Sequence, residues 1–88
     1  MKVLKFGAIW CKECLVMKPI WLEIEEEIPE LATEYYDIDE QPELAKQYNI
    51  KNIPIFIFLD KDENEFLRLN GMQNKKELIK VVKDNLNK

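Results

Sequence analysis

The 88-residue sequence contains no histidine and only two cysteines, so one chain lacks the four Cys or His ligands of a structural zinc site. Basic residues are not in excess either. The 17 Asp and Glu outnumber the 13 Lys and Arg, and the net charge is −4. A protein that binds nucleic acid without sequence preference needs a basic face, and a polybasic patch attracts proteins to anionic membranes. We therefore expect neither nucleic acid nor a membrane as a partner.

Long apolar runs are missing as well, since no stretch approaches the ~20 residues that span a bilayer. The segment 1–7 has a lysine within a short apolar run, which is not typical of a secretory signal. We therefore expect a soluble, cytoplasmic protein, in which a cysteine pair is more often catalytic or metal-binding than structural. Without repeats or linkers, residues 1–88 are predicted to form a single domain and a monomer.

Hydrophobic patterning predicts strand, helix and strand in the first half of the chain, at residues 2–8, 11–28 and 32–38. Pro19 lies within the predicted helix and predicts a kink there, because proline removes a backbone donor. The apolar stripe of this helix, at a spacing of four, is predicted as Val16, Ile20, Ile24 and Ile28. Its solvent-facing acidic side is predicted as Glu23, Glu25, Glu26 and Glu27.

The second half predicts a helix, a hairpin of two strands and a final helix. The predicted ranges are 42–48, 54–59, 65–70 and 74–87. A strand–helix–strand unit has parallel strands with a right-handed crossover, whereas a hairpin is antiparallel. The order β-α-β-α-β-β-α therefore predicts an α/β fold, with one four-stranded mixed sheet and helices on both faces.

Cys11 and Cys14 are the strongest chemical signal in the sequence. The predicted strand gives way to the helix at Cys11, where free backbone N–H groups and the helix dipole favour a thiolate. Cys14 follows almost one helical turn later, close enough to form a disulfide with Cys11. This pattern predicts that Cys11 attacks a substrate disulfide and that Cys14 resolves the mixed disulfide. A static disulfide, two buried thiols, or a dimer sharing zinc or an iron–sulfur cluster are the alternatives.

Several separated motifs, in the right order, resemble the thioredoxin family over almost the whole chain. The family's first strand and helix have no counterpart, so the resemblance implies a trimmed thioredoxin fold, close in size to glutaredoxins. The matching residues are Phe6, Ala8, Trp10-Cys11-x-x-Cys14, Pro19, Ile38-Asp39, Pro42, Tyr48-x-Ile50, Ile53-Pro54 and Gly71.

The resemblance implies that the Ile53–Pro54 peptide bond is cis and lies beside the two sulfurs. A substrate peptide in extended conformation would then pair with the exposed backbone of Ile53. The resemblance also implies that Trp10, Pro54 and Gly71 border this contact surface. Without it, Pro54 would simply be a proline at the start of a strand.

Three departures from the family pattern concern the tuning of the thiols. Lys5 stands where the family places a buried aspartate, the proton acceptor of the resolving cysteine. A neutral Lys5 could act as a base and a charged one could stabilise the Cys14 thiolate, whereas Lys5 could also extend to solvent. Tyr35 replaces the lysine that pairs with that aspartate. Lys12 and Glu13 replace the usual Gly-Pro and have opposing effects on a nearby thiolate.

The sequence thus predicts a thiol-disulfide oxidoreductase with no cofactor beyond the Cys11–Cys14 disulfide. Its expected partners are protein disulfides and an electron donor, either a flavoprotein reductase or another thiol system. One alternative is a glutaredoxin-like protein that uses glutathione. Another is a non-catalytic protein, either a metal- or cluster-bridged dimer or a redox-sensing module.

Overall fold

The computed structural model describes residues 1–88, and its elements follow the predicted order and types. Their ends differ from the predicted ones by at most two residues, and both ends of β4 coincide. None of the three helices has the length and apolar character needed to cross a membrane. The elements are β1 (Lys2–Gly7), α1 (Lys12–Glu27), β2 (Ala32–Asp37), α2 (Pro42–Gln47), β3 (Ile55–Leu59), β4 (Glu65–Asn70) and α3 (Lys75–Asn85).

The four strands form one mixed sheet in the order β2-β1-β3-β4, which confirms the predicted fold class. β1 runs parallel to β2 and antiparallel to β3, while β3 and β4 form the hairpin. In the parallel register, Lys5 lies opposite Tyr35 and Gly7 lies opposite Asp37. Because β1 is central, its carboxyl end delivers the chain to the start of α1 over the middle of the sheet.

The core has two parts, one on each face of the sheet. Helices α1 and α3 cover the larger part, in which Val3, Phe56 and Phe58 come from the strands. The short helix α2 lies over the smaller part and contributes the half-buried Leu44. The strand residues buried on this second face are Leu4, Phe6, Ile55, Ile57 and Leu59.

The buried face of α1 differs from the predicted stripe. Val16 is 49% exposed and Ile20 is only half-buried, whereas Ile24 and Ile28 are buried as predicted. The helix repeats every 3.6 residues, so a strict spacing of four drifts off the buried face. The observed face alternates spacings of three and four, and Cys14 lies on it. Its residues are Cys14, Met17, Trp21, Ile24 and Ile28.

The predicted acidic side of α1 is correct for three residues and wrong for Glu25. Glu23, Glu26 and Glu27 are exposed. The Glu25 side chain is only 27% exposed and forms an ion pair with Lys5 of β1. Within the glutamate run, Glu25 therefore turns toward the sheet, because it is adjacent to Ile24 on the buried face of the helix.

Candidate active site

Cys11 and Cys14 form a disulfide at the start of α1, as the sequence predicts. Cys11 is the N-cap residue, and its Sγ accepts a hydrogen bond from the Cys14 backbone N–H at 3.2 Å. The Cα atoms lie 5.2 Å apart, and both residues are buried. The Cys11 sulfur thus already accepts one of the free N–H groups at the helix N-terminus, an interaction that strengthens for a thiolate.

Lys12 and Glu13 lie between the cysteines on the first turn of α1, and both are exposed. Neither side chain forms an ion pair or a side-chain hydrogen bond within the chain. Their charges therefore act on the thiols from solvent, where opposite charges at adjacent positions are strongly screened.

The outer side of the disulfide is defined here as Trp10, Ile53, Pro54 and Gly71. Of these, Pro54 is buried and also lines the cavity between α1 and the sheet. Trp10 is 64% exposed, yet its indole N–H donates a hydrogen bond to Asp39 Oδ2 at 2.7 Å. This bond fixes the orientation of a large exposed ring. The buried Asp37 carboxylate accepts the backbone N–H of Asp39 at 2.8 Å and so holds the loop that carries the acceptor.

The remaining outer-side residues come together from two loops. The Ile53–Pro54 peptide bond is cis, as the resemblance implies, and Ile53 packs against Ala8 and the two cysteines. The Gly71 N–H donates to the Pro54 carbonyl at 2.7 Å. Gly71 has φ +79°, in the left-handed region that favours glycine. The backbone N–H and carbonyl of Ile53 hydrogen bond to no other residue of the chain.

The inner side of the disulfide, defined here as Lys5, Gly7 and Tyr35, faces a cavity between α1 and the sheet. The cavity has a volume of about 80 Å³ and is also lined by Cys14 and by Trp21. A water molecule needs only about 10–15 Å³ of such space. The buried indole N–H of Trp21 has no hydrogen-bond partner within the chain.

Lys5 ends in an ion pair rather than in open solvent. Its Nζ lies 2.7 Å from Glu25 Oε2, which also accepts the Thr33 hydroxyl at 3.0 Å. The Lys5 side chain is 15% exposed, and its Nζ lies 5.9 Å from the centroid of the Trp21 ring. The pair therefore places a compensated positive charge on the wall of the cavity that reaches Cys14.

Tyr35 of β2 lines the same cavity as Lys5 and Cys14, with its hydroxyl close to Gly7. A Cβ on Gly7 would lie 3.1 Å from the Tyr35 hydroxyl and 3.2 Å from Cys14 Sγ. Burial raises the pKa of Tyr35, and the carboxylates of Asp37 and Glu40 raise it further. The hydroxyl therefore keeps its proton at neutral pH.

Sequence reasoning did not assign a functional role to four residues that the structure places at the site: Gly7, Glu25, Tyr35 and Asp39. Gly7 carries a usable signal, because a glycine inside a strand indicates close approach of another group. Glu25 is indistinguishable from its neighbours in the acidic run. Tyr35 stands out in the sequence only as the replacement of a family lysine, which gives its hydroxyl no role. The side chains form no cluster of three or more His, Cys, Asp or Glu that could hold a metal ion.

Comparison with known proteins gives one consistent result. The sequence model of the family described as Thioredoxin matches residues 1–84. The thioredoxin of Chlamydia trachomatis is 35% identical over 80 residues, which are 91% of this chain and 78% of that protein. Thioredoxin H5 of Oryza sativa subsp. japonica is 41% identical over 61 residues, 69% of this chain and 45% of the rice protein. The chain thus spans less than half the length of that relative.

Solved structures show the same likeness. Oxidised mitochondrial thioredoxin 3 of Saccharomyces cerevisiae superposes with a TM-score of 0.83 at 30% identity, covering 94% of this chain and 76% of the yeast chain. Thioredoxin 1 of Thermosipho africanus gives a TM-score of 0.85 at 28% identity. That match covers 98% of this chain and 94% of the other.

Proposed function

Because the chain belongs to the thioredoxin family of thiol-disulfide oxidoreductases, we propose that it reduces or exchanges protein disulfides through Cys11 and Cys14. The observation that carries the proposal is the Cys11–Cys14 disulfide at the N-terminus of α1. There the Cys11 sulfur already accepts a backbone N–H. The same geometry favours a thiolate at Cys11 once the disulfide is reduced.

In the first step, the Cys11 thiolate attacks one sulfur of a substrate disulfide. A Cys11–substrate disulfide forms, the substrate S–S bond breaks, and the electron pair leaves on the second substrate sulfur. In the second step, the Cys14 thiolate attacks Cys11 Sγ. The Cys11–Cys14 disulfide forms, and the substrate leaves as a thiolate that takes a proton from solvent. The substrate gains two electrons, and the protein loses two.

The outer side provides the docking surface for the substrate. The free backbone groups of Ile53 pair with an extended substrate segment as an added strand. Trp10 and Gly71 flank this strand, and Pro54 supports it from below. The Asp39 hydrogen bond keeps Trp10 from moving into the path of the substrate.

Three residues tune the thiols in this proposal. The Lys5 ammonium on the cavity wall stabilises a negative charge at Cys14. Lys12 stabilises and Glu13 destabilises a thiolate next to it, both weakly, because both side chains are exposed. Glu25 compensates part of the Lys5 charge. Of the three, Lys5 still has the strongest expected effect, because it is the least exposed to solvent.

Residues 1–88 act as a single domain and a monomer in this proposal, with no cofactor beyond the redox-active disulfide. The reducing equivalents come from a flavoprotein reductase or another thiol system. A reducing compartment such as the cytoplasm suits a dithiol that must be regenerated repeatedly. The absence of other cysteines leaves no third thiol in the chain to compete with Cys14.

Insulin reduction with dithiothreitol as donor tests the proposal. The wild-type protein should accelerate insulin precipitation, and Cys11→Ser should abolish the acceleration. Lys61→Ser is the control, because Lys61 is exposed in the turn between β3 and β4, and the change leaves both thiols and their neighbours in place. Equal rates for the wild type and Cys11→Ser would contradict the proposal. Turnover with glutathione but not with thioredoxin reductase would instead favour the glutaredoxin-like alternative.

A further inference from the structure

The inner side contains a contact that the two-cysteine mechanism does not use. Tyr35 reaches from β2 across Gly7, and its hydroxyl and Cys14 Sγ lie 3.1 and 3.2 Å from the position of a Gly7 Cβ. The hydroxyl and the sulfur therefore both lie within 3.2 Å of the same empty position. One water molecule is enough to bridge them, and all three residues line the same cavity.

The sequence explains why the two groups meet. Alternate residues of β2 face opposite sides of the sheet, so Thr33 and Tyr35 face α1 while Tyr36 packs on Phe6 of the other face. Gly7 has no side chain to block the path from β2 to the first turn of α1. Any other residue there would contact the hydroxyl and Cys14 at distances tighter than ordinary packing.

We propose that the Tyr35 hydroxyl donates a hydrogen bond, directly or through one water, to Cys14 Sγ and stabilises the thiolate that resolves the mixed disulfide. This inference rests on the proposed function, since it assigns a role in its second step. The phenol keeps its own proton throughout. The proton that Cys14 loses leaves through the cavity to solvent, and no further oxidant or reductant is required.

A protonated phenol suits this role better than a phenolate. The pKa of Tyr35 is raised by burial and by the nearby carboxylates, so the hydroxyl remains a donor across the neutral range. Half of the tyrosine is exposed, but its hydroxyl end points into the packed region between Gly7 and Cys14. A hydrogen bond from a neutral donor to a charged acceptor is stronger than one between neutral groups.

Other charged groups surround this contact and must be kept constant in a test. Lys18 of α1 has its Nζ 5.7 Å from the centroid of the Tyr35 ring. Lys5 of β1 is paired with Glu25 of α1 on the cavity wall. The charged groups around the contact are Lys5, Lys18, Glu25, Asp37 and Glu40. Each of them stays in place when only the Tyr35 hydroxyl is removed.

The test uses the reduced protein and the small chromogenic disulfide dithiobis(nitrobenzoate). Attack by Cys11 releases the first thionitrobenzoate, and resolution by Cys14 releases the second, so stopped-flow absorbance separates the two steps. Tyr35→Phe should slow the second release by up to about tenfold at pH 7 and leave the first release unchanged, because one hydrogen bond to a charged group is lost. The pH midpoint of the second phase should rise by about one unit, for the same reason.

Tyr36→Phe is the matched control, because this neighbouring hydroxyl lies on the other face and bonds to Glu34. It should change neither phase. An unchanged second phase and pH profile in Tyr35→Phe would overturn the inference, and so would equal slowing of both phases, which indicates a structural role. The small disulfide reacts with any reactive dithiol. A protein that passes this test but leaves insulin oxidised would therefore refute the proposed function and not the Tyr35–Cys14 contact.

Discussion

The disulfide separates two unlike environments. On the outer side, Trp10 is 64% exposed, and the backbone of the partly buried Ile53 has no hydrogen-bond partner within the chain. On the inner side, the Lys5–Glu25 ion pair and the Tyr35 hydroxyl surround a cavity closed by the core residue Trp21. The outer side is held by hydrogen bonds to loops, whereas the inner side is held by packing and charge compensation.

In the proposed mechanism, this difference separates recognition from thiol chemistry. The outer residues match the thioredoxin motifs, and we expect a change there to alter which disulfides can dock. The inner residues depart from the motifs at Lys5 and Tyr35, and we expect a change there to alter how readily Cys14 loses its proton. Cys14 lines the inner cavity, whereas Cys11 is proposed to react with substrates on the outer side. Each side can therefore be changed without rebuilding the other.

Removal of Cys14 should have the largest effect on turnover. It should also separate docking and attack on the outer side from the resolving step on the inner side. Cys14→Ser can still form the mixed disulfide through Cys11 but cannot resolve it, so turnover should be lost while a covalent substrate adduct accumulates. Mass spectrometry after mixing with oxidised substrate should show one adduct per chain. Cys11→Ser is the control and should show no stable adduct. Trapping by both variants alike would contradict the assigned order of attack.

Truncation of one tryptophan on each side shows how much that side contributes to the stability of the fold. Trp21→Ala should lower the free energy of unfolding by about 3–5 kcal/mol, because Trp21 is 1% exposed and packs on Phe56. Trp10→Ala should lower it by less than about 1 kcal/mol, because most of the ring is already exposed. Urea titration of both variants measures the difference. Similar losses in the two variants would mean that the outer side is also part of the packed core.

Loss of the Glu25 carboxylate tests the charge compensation of the inner side. Glu25→Gln leaves the half-buried Lys5 ammonium without its partner and should cost about 1–2 kcal/mol, between the values for surface and buried ion pairs. Glu26→Gln is the control, because Glu26 is the exposed neighbour and pairs with no cation. Urea unfolding at pH 7 measures both. Equal stability of the two variants would show that the pair adds nothing.

The smallest expected effect lies outside both sides, at Glu65 and Arg68 of β4. A two-pronged hydrogen bond from Arg68 lowers the pKa of Glu65 below its ordinary value. The folded protein therefore gains stability at neutral pH, and it loses this gain as the pH falls through the lowered pKa. Glu65→Gln should cost less than about 1 kcal/mol at pH 7 and nothing at strongly acidic pH. A cost that persists in acid would contradict an ionic origin.

The sequence predicts the element order and the outer side well, and for identifiable reasons. The run of β-branched and aromatic residues at 55–59 and the transition from strand to helix at Cys11 are local signals. Trp10, Ile53, Pro54 and Gly71 lie in recognisable motifs. The predicted phase of α1 fails because seven of the nine residues from Cys14 to Leu22 are apolar. Val16 and Met17 are then equally plausible inward residues by pattern alone, and the sheet decides between them.

The inner side could not be predicted because it depends on register and on pairings across the chain. Lys5 meets Glu25 only because β1 passes under the fourth turn of α1, twenty residues away in sequence. Tyr35 meets Cys14 only because β2 pairs with β1 so that Lys5 lies opposite Tyr35. No composition or spacing rule contains this information.

The empty Cβ position of Gly7 also has an evolutionary consequence. A side chain at position 7 and the tyrosine hydroxyl at position 35 would occupy overlapping space beside Cys14. Descendants of this chain that acquire a larger residue at 7 are therefore expected to carry a shorter one at 35. The two positions should covary, although 28 residues separate them.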